Sequence, residues 1–444
     1  MNADGWLVPA SMLIASLVPV VQLSVLTALM LLRRPLSERA VGRLLGSTFV
    51  VAVAAANTGL ISYFATDMQP QVIPFGQWFG GQHGSFALEF VADGVSLGFG
   101  AVSVTICAIV AAFSFRYLHR EPGFYRYFIQ LVMFVLGIML VSFAGSIGVL
   151  FAGWEFLGLS SALLVGFFHE RQAPVRNALR IFGVYRISDA AMLSAAVLLH
   201  HWLGSGSLSR LLLRPDRGTD LSGEQTLLIL TLFLIAVAAK SALVPFSAWL
   251  PRAMEGPTPS SAVYYGALSI HAGCFLLLRL EPLFAHSDLA RALIGLCGVV
   301  TALHATVTAR VQTDVKSALA YASLTQVGLI VVEIALGFTG VAFIHIVGHM
   351  CFRLLQFLSA PNILHDLHGL ESRSLGRVVP GRGNTLGGPS SWLYLAGLER
   401  GFLDQWLDAF LIKPFSYCGR QLDRLDRALC GTAREVRDQE CQRK

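Results

Sequence analysis

The chain has 444 residues, of which 55% are hydrophobic and only 14% are charged, and its mean hydropathy is +0.63. Ordinary soluble domains carry about 25% charged residues, so this composition excludes a typical soluble enzyme and indicates a helical membrane protein. The net charge of +6 comes mainly from short loops between apolar segments and from the C-terminal tail, which fits membrane topology rather than nucleic-acid binding. The seven cysteines form no Cys-x-x-Cys pair, and we predict no metal or other cofactor in this chain.

Long apolar segments predict an all-α, polytopic transmembrane fold with about eleven spans, some of them broken. The predicted spans are 10–32, 44–64, 92–114, 127–143, 146–168, 178–200, 226–246, 259–280, 289–309, 317–337 and 340–359. The first is too long for the apolar part of a cleaved signal peptide and has no basic residues before it, so we predict a membrane helix.

The Lys and Arg residues of the loops predict the orientation of the chain. Arginine clusters follow spans one, three and five, whereas the loop at 65–90 has neither Lys nor Arg. The positive-inside rule therefore predicts an outside N-terminus and a cytoplasmic C-terminus. The arginines of the long loop at 201–225 run against this pattern.

The character of the sequence changes after about residue 360. Residues 366–390 are polar and Gly-rich, which predicts a loop, and 392–430 recover a helical periodicity that Pro414 interrupts. This second stretch predicts an amphipathic segment on the membrane surface or along neighbouring spans, followed by a solvated charged tail. The predicted regions are N-terminal helices with an outer loop (1–90), a proton-channel core (91–359) and a C-terminal region of loop, lateral helix and tail (360–444).

The seventh predicted span carries a lysine in the middle of an apolar helix, followed by a break. Pro245 follows Lys240, and Gly256-Pro257-Thr258-Pro259 separates this span from the next. An isolated charge in hydrocarbon costs roughly 2.5–3.5 kcal/mol, and broken backbone at membrane depth is tolerated only where protein or water satisfies it. Together these features predict an ion path.

Other charged residues within the spans are candidates for the same path. A buried pair of Glu155 and Lys240 would titrate as a coupled unit, so separating the two would favour release of the lysine proton. Arg186 and Asp189 are three residues apart on one helix face, so the aspartate could tune a neighbouring lysine. Each pair has a structural alternative: a static ion pair for the first, and a self-neutralising pair that lets the helix insert for the second.

The eleventh span carries His345, His349 and Arg353 at intervals of four, which places them on one helix face. Histidine relays protons near neutral pH, whereas arginine keeps its proton, so we expect Arg353 to be a fixed positive charge. Two histidines at this spacing could also hold a metal, but the glutamate of an HExxH motif is missing. Lys316, at the start of span ten, either joins the path or extends to the cytoplasmic interface.

Several motifs in this order resemble the antiporter-like membrane subunits of respiratory complex I and of multisubunit cation/proton antiporters. They are Phe90-Val-Ala-Asp93-Gly94-Val-Ser96, Trp154-Glu155-Phe-Leu-Gly158-Leu-Ser160-Ser161, Arg186-Ile-Ser-Asp189, Lys240-Ser241 with Trp249-Leu-Pro251, Gly256-Pro257-Thr258-Pro259, Gln312-Thr313-Asp314-Val-Lys316 and His345-x-x-x-His349-x-x-x-Arg353. The resemblance implies that Glu155 and Lys240 occupy the positions of the family's key glutamate and lysine, and that histidines line the axis connecting them. It also implies that the seventh span and the eleventh or twelfth are broken.

The chain departs from this family pattern at three points. It has Arg353 where the family usually has lysine, and Tyr265 where the family usually has histidine, although His271 follows six residues later. It also lacks the further spans that carry a second half-channel in complex I.

A shortened member of this kind resembles the DabB-type membrane subunits of two-component inorganic-carbon transporters. The matching segments are Ala360-Pro361-Asn-Ile-Leu-His365-Asp366, Leu398-Glu399-Arg400-Gly401-Phe-Leu-Asp404 and Lys413-Pro414-Phe415. This resemblance implies that the chain passes protons, or another monovalent cation, to energise a large cytoplasmic zinc protein of DabA type. That partner resembles a β-carbonic anhydrase and would make bicarbonate from carbon dioxide, so the zinc is expected in the partner.

The expected function is therefore that of a proton-conducting subunit of an inorganic-carbon accumulation complex in the cell inner membrane, without chemistry of its own. Three alternatives stay open: a proton-pumping subunit of a complex I or hydrogenase-type oxidoreductase, a subunit of a sodium/proton antiporter, and a membrane scaffold with a vestigial path.

Overall fold

The computed structural model describes residues 6–428 except 67, 82–83, 204–206, 210–220, 286, 313, 361–388 and 415–416. Most of the predicted loop at 366–390, the arginines of the loop at 201–225, and the charged tail beyond 428 lie outside the described residues. Parts of three quoted motifs also lie outside the described residues. They are most of the motif that begins at Ala360, Thr313 in the motif that begins at Gln312, and Phe415 in the motif that begins at Lys413.

Within the described part of the chain, eleven helices are long and apolar enough to cross a membrane, which confirms the predicted all-α polytopic fold. They are α1 (Leu7–Leu31), α2 (Glu38–Ala65), α3 (Gly94–Tyr117), α4 (Phe124–Ser142), α5 (Ile147–Val165), α6 (Gln172–Leu203), α7 (Gly223–Lys240), α8 (Thr258–Arg279), α9 (Asp288–Ala309), α10 (Val315–Ala335) and α11 (Thr339–Ser359). Each helix overlaps one predicted span.

Short polar side chains start several of these helices by bonding the free backbone N–H groups of the first turn. Ser222 and Gln225 form a reciprocal capping box at α7, and Asp93 and Ser96 form another at α3. Asp93 also pairs with Arg279 at the end of α8, which ties the two helices together. Burial raises the pKa of the Asp93 carboxyl, but the Arg279 charge and the capping hydrogen bonds outweigh burial and hold this pKa below its usual value.

The predicted loop at 65–90 contains an antiparallel hairpin, which the sequence analysis missed. Strand β1 (Gln71–Gly81) pairs with β2 (Gly84–Ala92). The other edge of β2 bonds to the chain between α4 and α5, where Gly145 N donates to Glu89 O and Val91 N donates to Phe143 O, both at 2.9 Å. The hairpin therefore fastens the outer loop onto the helical core.

Helix α7 ends at Lys240, so the predictions of a span to residue 246 and of a lysine in mid-helix are wrong. Ala242 adopts a left-handed conformation (φ 57°), and Leu243 N donates to Ala238 O (2.9 Å), which closes the helix end. Pro245 prevents continuation of the helix. Lys240 therefore lies at the carbonyl end of α7, where the helix dipole favours a positive charge.

Two short 3-10 turns, Ser247–Trp249 and Pro251–Glu255, connect α7 to α8. Helix α8 is also irregular, because Ala262–Leu268 form a π-helix between two α-helical parts. Helix α11, in contrast, is a continuous α-helix, so of the two alternatives given for the second broken span, the eleventh is wrong.

The C-terminal segment (389–412) packs beside the end of α9. It comprises α12 (Pro389–Leu398), a 3-10 turn (Arg400–Phe402), α13 (Leu403–Leu407) and a π-turn (Asp408–Ile412). The predicted helix is thus interrupted earlier than Pro414, at Gly401 (φ 69°).

Candidate functional site

Lys240 is fully buried, and residues of α5 and α6 surround its ammonium group. Its Nζ donates to the carbonyl oxygen of Trp154 on α5 (2.9 Å). It also lies 4.5 Å from the ring centre of Tyr185 and 5.0 Å from that of Trp154, at distances where aromatic faces attract cations. The charge is therefore held mainly by a backbone carbonyl and aromatic rings.

Two carboxylates, those of Glu155 and Asp189, are connected to Lys240 through a row of charged groups. We call this row the charge relay (Glu155, Arg186, Asp189, Lys240). Lys240 Nζ lies 3.9 Å from Asp189 Oδ1. Arg186 Nη2 lies 2.7 Å from Asp189 Oδ2 and 2.8 Å from Glu155 Oε2, so it bridges both carboxylates. The direct Glu155–Lys240 pair considered from the sequence is therefore replaced by a connection through Arg186 and Asp189.

One end of the charge relay is partly exposed and the other end is buried. The side chains of Glu155 and Arg186 are 30% and 37% exposed, Asp189 is 5% exposed, and Lys240 is 0% exposed. Because two acids alternate with two bases, the four groups balance when all are ionised. A chain of this kind can redistribute charge by small movements of Arg186, whose guanidinium donates two hydrogen bonds to Glu155 and forms an ion pair with Asp189.

Neighbouring side chains fix the geometry around the lysine. Trp154 Nε1 donates to Ser188 Oγ (2.9 Å), which itself donates to Ala236 O on α7 (2.7 Å). A carbon added at Cβ of Gly158 would lie 2.7 Å from Lys240 Nζ, so only glycine leaves the required space. The sequence analysis missed Ser188, although it lies between the two charged residues of the Arg186-Ile-Ser-Asp189 motif.

A second polar cluster joins α8 and α11. His271 Nε2 and His349 Nδ1 are 2.8 Å apart, and Arg353 Nε donates to His349 Nε2 (2.9 Å). His271 Nδ1 bonds the carbonyl oxygen of Ala267, so that nitrogen must carry a proton. His349 Nε2 accepts from arginine, so its proton lies on Nδ1 and is donated to His271. We name this row the histidine wire (His271, His349, Arg353).

Ser241, the residue after Lys240, packs against α8, the helix that carries His271. A Cβ built on Gly273 would overlap Ser241 Oγ, so the hydroxyl lies directly against the backbone of α8 at that position. The hydroxyl of Ser241 is buried and has no hydrogen-bond partner among the described residues. A buried hydroxyl in this state is a candidate site for an ordered water.

His345 does not hydrogen-bond to the histidine wire, although it shares the same helix face. Its Nδ1 is hydrogen-bonded to Glu333 (2.8 Å), and its Nε2 donates to Gln326 (3.2 Å). The sequence analysis missed both α10 residues, although their spacing of seven places them on one face of the helix. The rings of His345 and His349 lie 6.2 Å apart.

Lys316 lies away from the charge relay and the histidine wire. Together with Glu255 it lines a cavity at the start of α10. Among the residues that the structure describes, no group of three or more His, Cys, Asp or Glu side chains is placed to hold a metal ion.

We expect Arg353→Ala to reduce transport by roughly tenfold, because a hydrogen bond from a charged donor to His349 contributes about 1.5–3 kcal/mol. Arg353→Lys keeps the charge and should retain more activity. The measurement is transport in native membrane vesicles at equal amounts of chain. Equal activity of the two variants would contradict a role for the positive charge.

Two family models match this chain. A family model described as "NADH:quinone oxidoreductase/Mrp antiporter, TM" matches residues 144–378. A second, described as "NADH-Ubiquinone oxidoreductase (complex I), chain 5 N-terminus", matches residues 78–128.

Individual relatives come from several kinds of complex. "Probable inorganic carbon transporter subunit DabB1" of Halothiobacillus neapolitanus is 33% identical over 72% of this chain and 56% of its own length. "NADH-quinone oxidoreductase subunit L" of Escherichia coli is 30% identical over 76% of this chain and 55% of its own length. A chain in the structure of the Mrp complex from Dietzia sp. superposes with a TM-score of 0.67 and 27% identity, over 79% of this chain and 37% of that chain. The chain thus spans about half the length of the curated relatives it matches.

Proposed function

Because the chain belongs to the family of transmembrane subunits of NADH:quinone oxidoreductases and Mrp antiporters, we propose that it conducts protons across the membrane through Lys240. The observation that carries this proposal is the fully buried Lys240 at the end of α7, connected through Asp189 and Arg186 to Glu155. A buried amine that can exchange its proton is a suitable carrier in a membrane interior, where fixed charges are costly.

Arg186 controls the charge of the lysine in this mechanism. When Arg186 moves toward Glu155, the Asp189 carboxylate is left to attract Lys240, which favours the protonated amine. When Arg186 moves toward Asp189, it neutralises that carboxylate and favours proton release from Lys240. The released proton passes by way of water at Ser241 to the histidine wire.

The histidine wire forms the far end of this path. Arg353 keeps its proton and donates to His349 Nε2, so the proton of His349 lies on Nδ1 and points to His271. Arg353 therefore holds His349 in the orientation that bonds to His271, and loss of this hydrogen bond would disrupt this end of the path.

We further propose that the chain is the membrane subunit of an inorganic-carbon transport complex. Its likeness to a protein named an inorganic carbon transporter subunit supports this assignment. The partner would be a large cytoplasmic zinc protein of DabA type that uses the proton flow for carbon dioxide hydration. The complex would lie in the cell inner membrane, with the C-terminus of this chain in the cytoplasm.

A second candidate is a subunit of a complex I-type oxidoreductase or a cation/proton antiporter. The likeness to subunit L and to a chain of the Mrp complex supports this second candidate, and it is the same type of observation as the one that supports the first. Both candidates use the same proton path and differ in what the flow drives.

The experiment is affinity purification of the tagged chain from its native membrane in mild detergent. Partners are identified by mass spectrometry and assayed for zinc. A single large zinc-bearing partner is the expected result, and bicarbonate uptake that depends on both chains completes the test. Recovery of iron–sulfur or several antiporter-like subunits instead would contradict the carbon-transport assignment.

A further inference from the structure

Glu333 is the only acidic residue of α10 and α11, and its carboxylate is hydrogen-bonded to His345. Glu333 Oε1 lies 2.8 Å from His345 Nδ1, and among the described residues no Lys or Arg pairs with this carboxylate. The two side chains are 23% and 26% exposed. A carboxylate within a membrane span is costly unless a partner balances its charge. His345 is therefore the group that has to balance Glu333.

The hydrogen bonds of His345 show how many protons this pair holds. Its Nε2 donates to Gln326 Oε1 (3.2 Å), so this nitrogen carries a proton of its own. The hydrogen bond between Nδ1 and the carboxylate of Glu333 contains a second proton. Because a neutral imidazole carries a single proton, the pair holds one more proton than a neutral histidine beside a carboxylate. The pair is then neutral as a whole, whichever of its two atoms carries that proton.

The histidine wire holds no such additional proton. His271 donates through Nδ1 to Ala267 O and accepts through Nε2 from His349. His349 donates through Nδ1 and accepts through Nε2 from Arg353. Both rings are therefore neutral, and the wire differs in this respect from His345.

Glu333 lies at the end of the helical bundle that carries the hairpin, which we call the hairpin end. It is two residues before the end of α10, where Arg291 from the start of α9 donates to Ala335 O (2.9 Å). Helix α8 ends on this side too, because its Arg279 pairs with Asp93, directly after β2. The second oxygen of Glu333, Oε2, is buried and has no hydrogen-bond partner among the described residues, which makes it a candidate site for an ordered water.

The charge of the pair acts on the histidine wire over a short distance. The ring centres of His345 and His349 are 6.2 Å apart. The other charged or titratable groups facing this region are Arg353 on α11, His271 on α8 and Arg291 on α9. If the pair lost its shared proton, one negative charge would remain beside His349. Opposite charges within about 6 Å attract each other strongly in a protein interior.

We propose that Glu333 and His345 form a second proton-binding site of the chain, which exchanges its proton at the hairpin end and controls the charge of the histidine wire. The inference rests on the proposed proton conduction through Lys240. Release of the shared proton through Glu333 leaves a negative charge, which attracts a proton from the path to His349. Rebinding of a proton by the site removes this charge, and the wire becomes neutral again.

Nitrogen NMR of isotope-labelled histidine in the purified complex tests the bound proton directly. The signals of His345 are assigned by their loss in His345→Gln. Near neutral pH, both ring nitrogens of His345 should be protonated in the unmodified chain. In Glu333→Gln only one of them should be protonated, because a neutral amide does not balance an imidazolium charge. A bare Nε2 in the unmodified chain would overturn the proposal. Unchanged signals of the other histidines show that Glu333→Gln retains the fold.

Proton flux into proteoliposomes of the same complex tests the role of the site. Glu333→Gln should lower the flux about tenfold, because the site can no longer place a negative charge beside His349. The matched control is Glu38→Gln, which removes the carboxylate from another Glu–His pair, with His119 at 2.7 Å, at the exposed start of α2. Glu38→Gln should leave the flux unchanged.

The outcomes separate this inference from the proposed function. Normal flux from Glu333→Gln would overturn the control of the histidine wire by Glu333, while proton conduction through Lys240 would stand. Absence of flux from the unmodified complex would overturn the proposed function itself. The NMR measurement would still decide whether Glu333 and His345 bind a proton, because it does not depend on flux.

Discussion

Replacement of Lys240 with methionine is expected to abolish proton transport by the assembled complex while the chain still inserts into the membrane. Methionine fills a similar volume but carries no proton, and proton transfer by a positioned side chain contributes roughly 10²–10⁴-fold to a rate. Removing the lysine also leaves Asp189 without its buried cationic neighbour. The measurement is proton uptake by native membrane vesicles, normalised to the amount of chain.

Lys240→Arg is the informative control. Arginine keeps the positive charge but does not release a proton near neutral pH, so this variant should also be inactive. Full activity of Lys240→Arg would show that a fixed charge suffices at this position. The role of Lys240 as a proton carrier would then be wrong.

A single added methyl group at Gly158 is expected to reduce transport by about tenfold or more, because a misplacement of about 1 Å in a functional group costs up to a hundredfold. The new carbon would lie 2.7 Å from Lys240 Nζ. Cβ atoms in proteins almost never lie within 3.0 Å of such a neighbouring atom. The ammonium group must therefore shift from its position, while every charge of the relay is retained. Transport in the same vesicles is the measurement.

The same helix provides the matched control. Gly148 also lies on α5, and a carbon added there meets no atom within 4 Å. Gly148→Ala should therefore transport normally. If Gly158→Ala and Gly148→Ala were equally active, the position of the Lys240 ammonium group would not matter.

The transmembrane architecture was predictable because membrane spans follow from composition over about twenty residues. The importance of Lys240 was predictable for a similar reason, since a single charge within an apolar stretch is conspicuous. The position of Lys240 at the end of a helix was not predictable. That feature depends on the left-handed Ala242 and on the closing hydrogen bond to Ala238 O, which periodicity does not report.

Contacts between helices were the least predictable part of the site. The sequence placed Glu155 and Lys240 in different spans but could not show that Arg186 bridges Glu155 and Asp189 between them. Glu333 and Gln326 were missed because their partner, His345, lies on another helix. The hairpin before α3 was missed because Pro74 and Gly76 interrupt the strand pattern of β1, and proline and glycine are typical of loops.

The central claim is that protons cross the membrane through the charge relay of this chain. The most direct test is proton flux into liposomes that contain the purified complex and a pH-sensitive dye, driven by a potassium diffusion potential. The account predicts measurable flux with the unmodified chain and background leakage with Lys240→Met at equal protein content. Equal flux from the two preparations would contradict it.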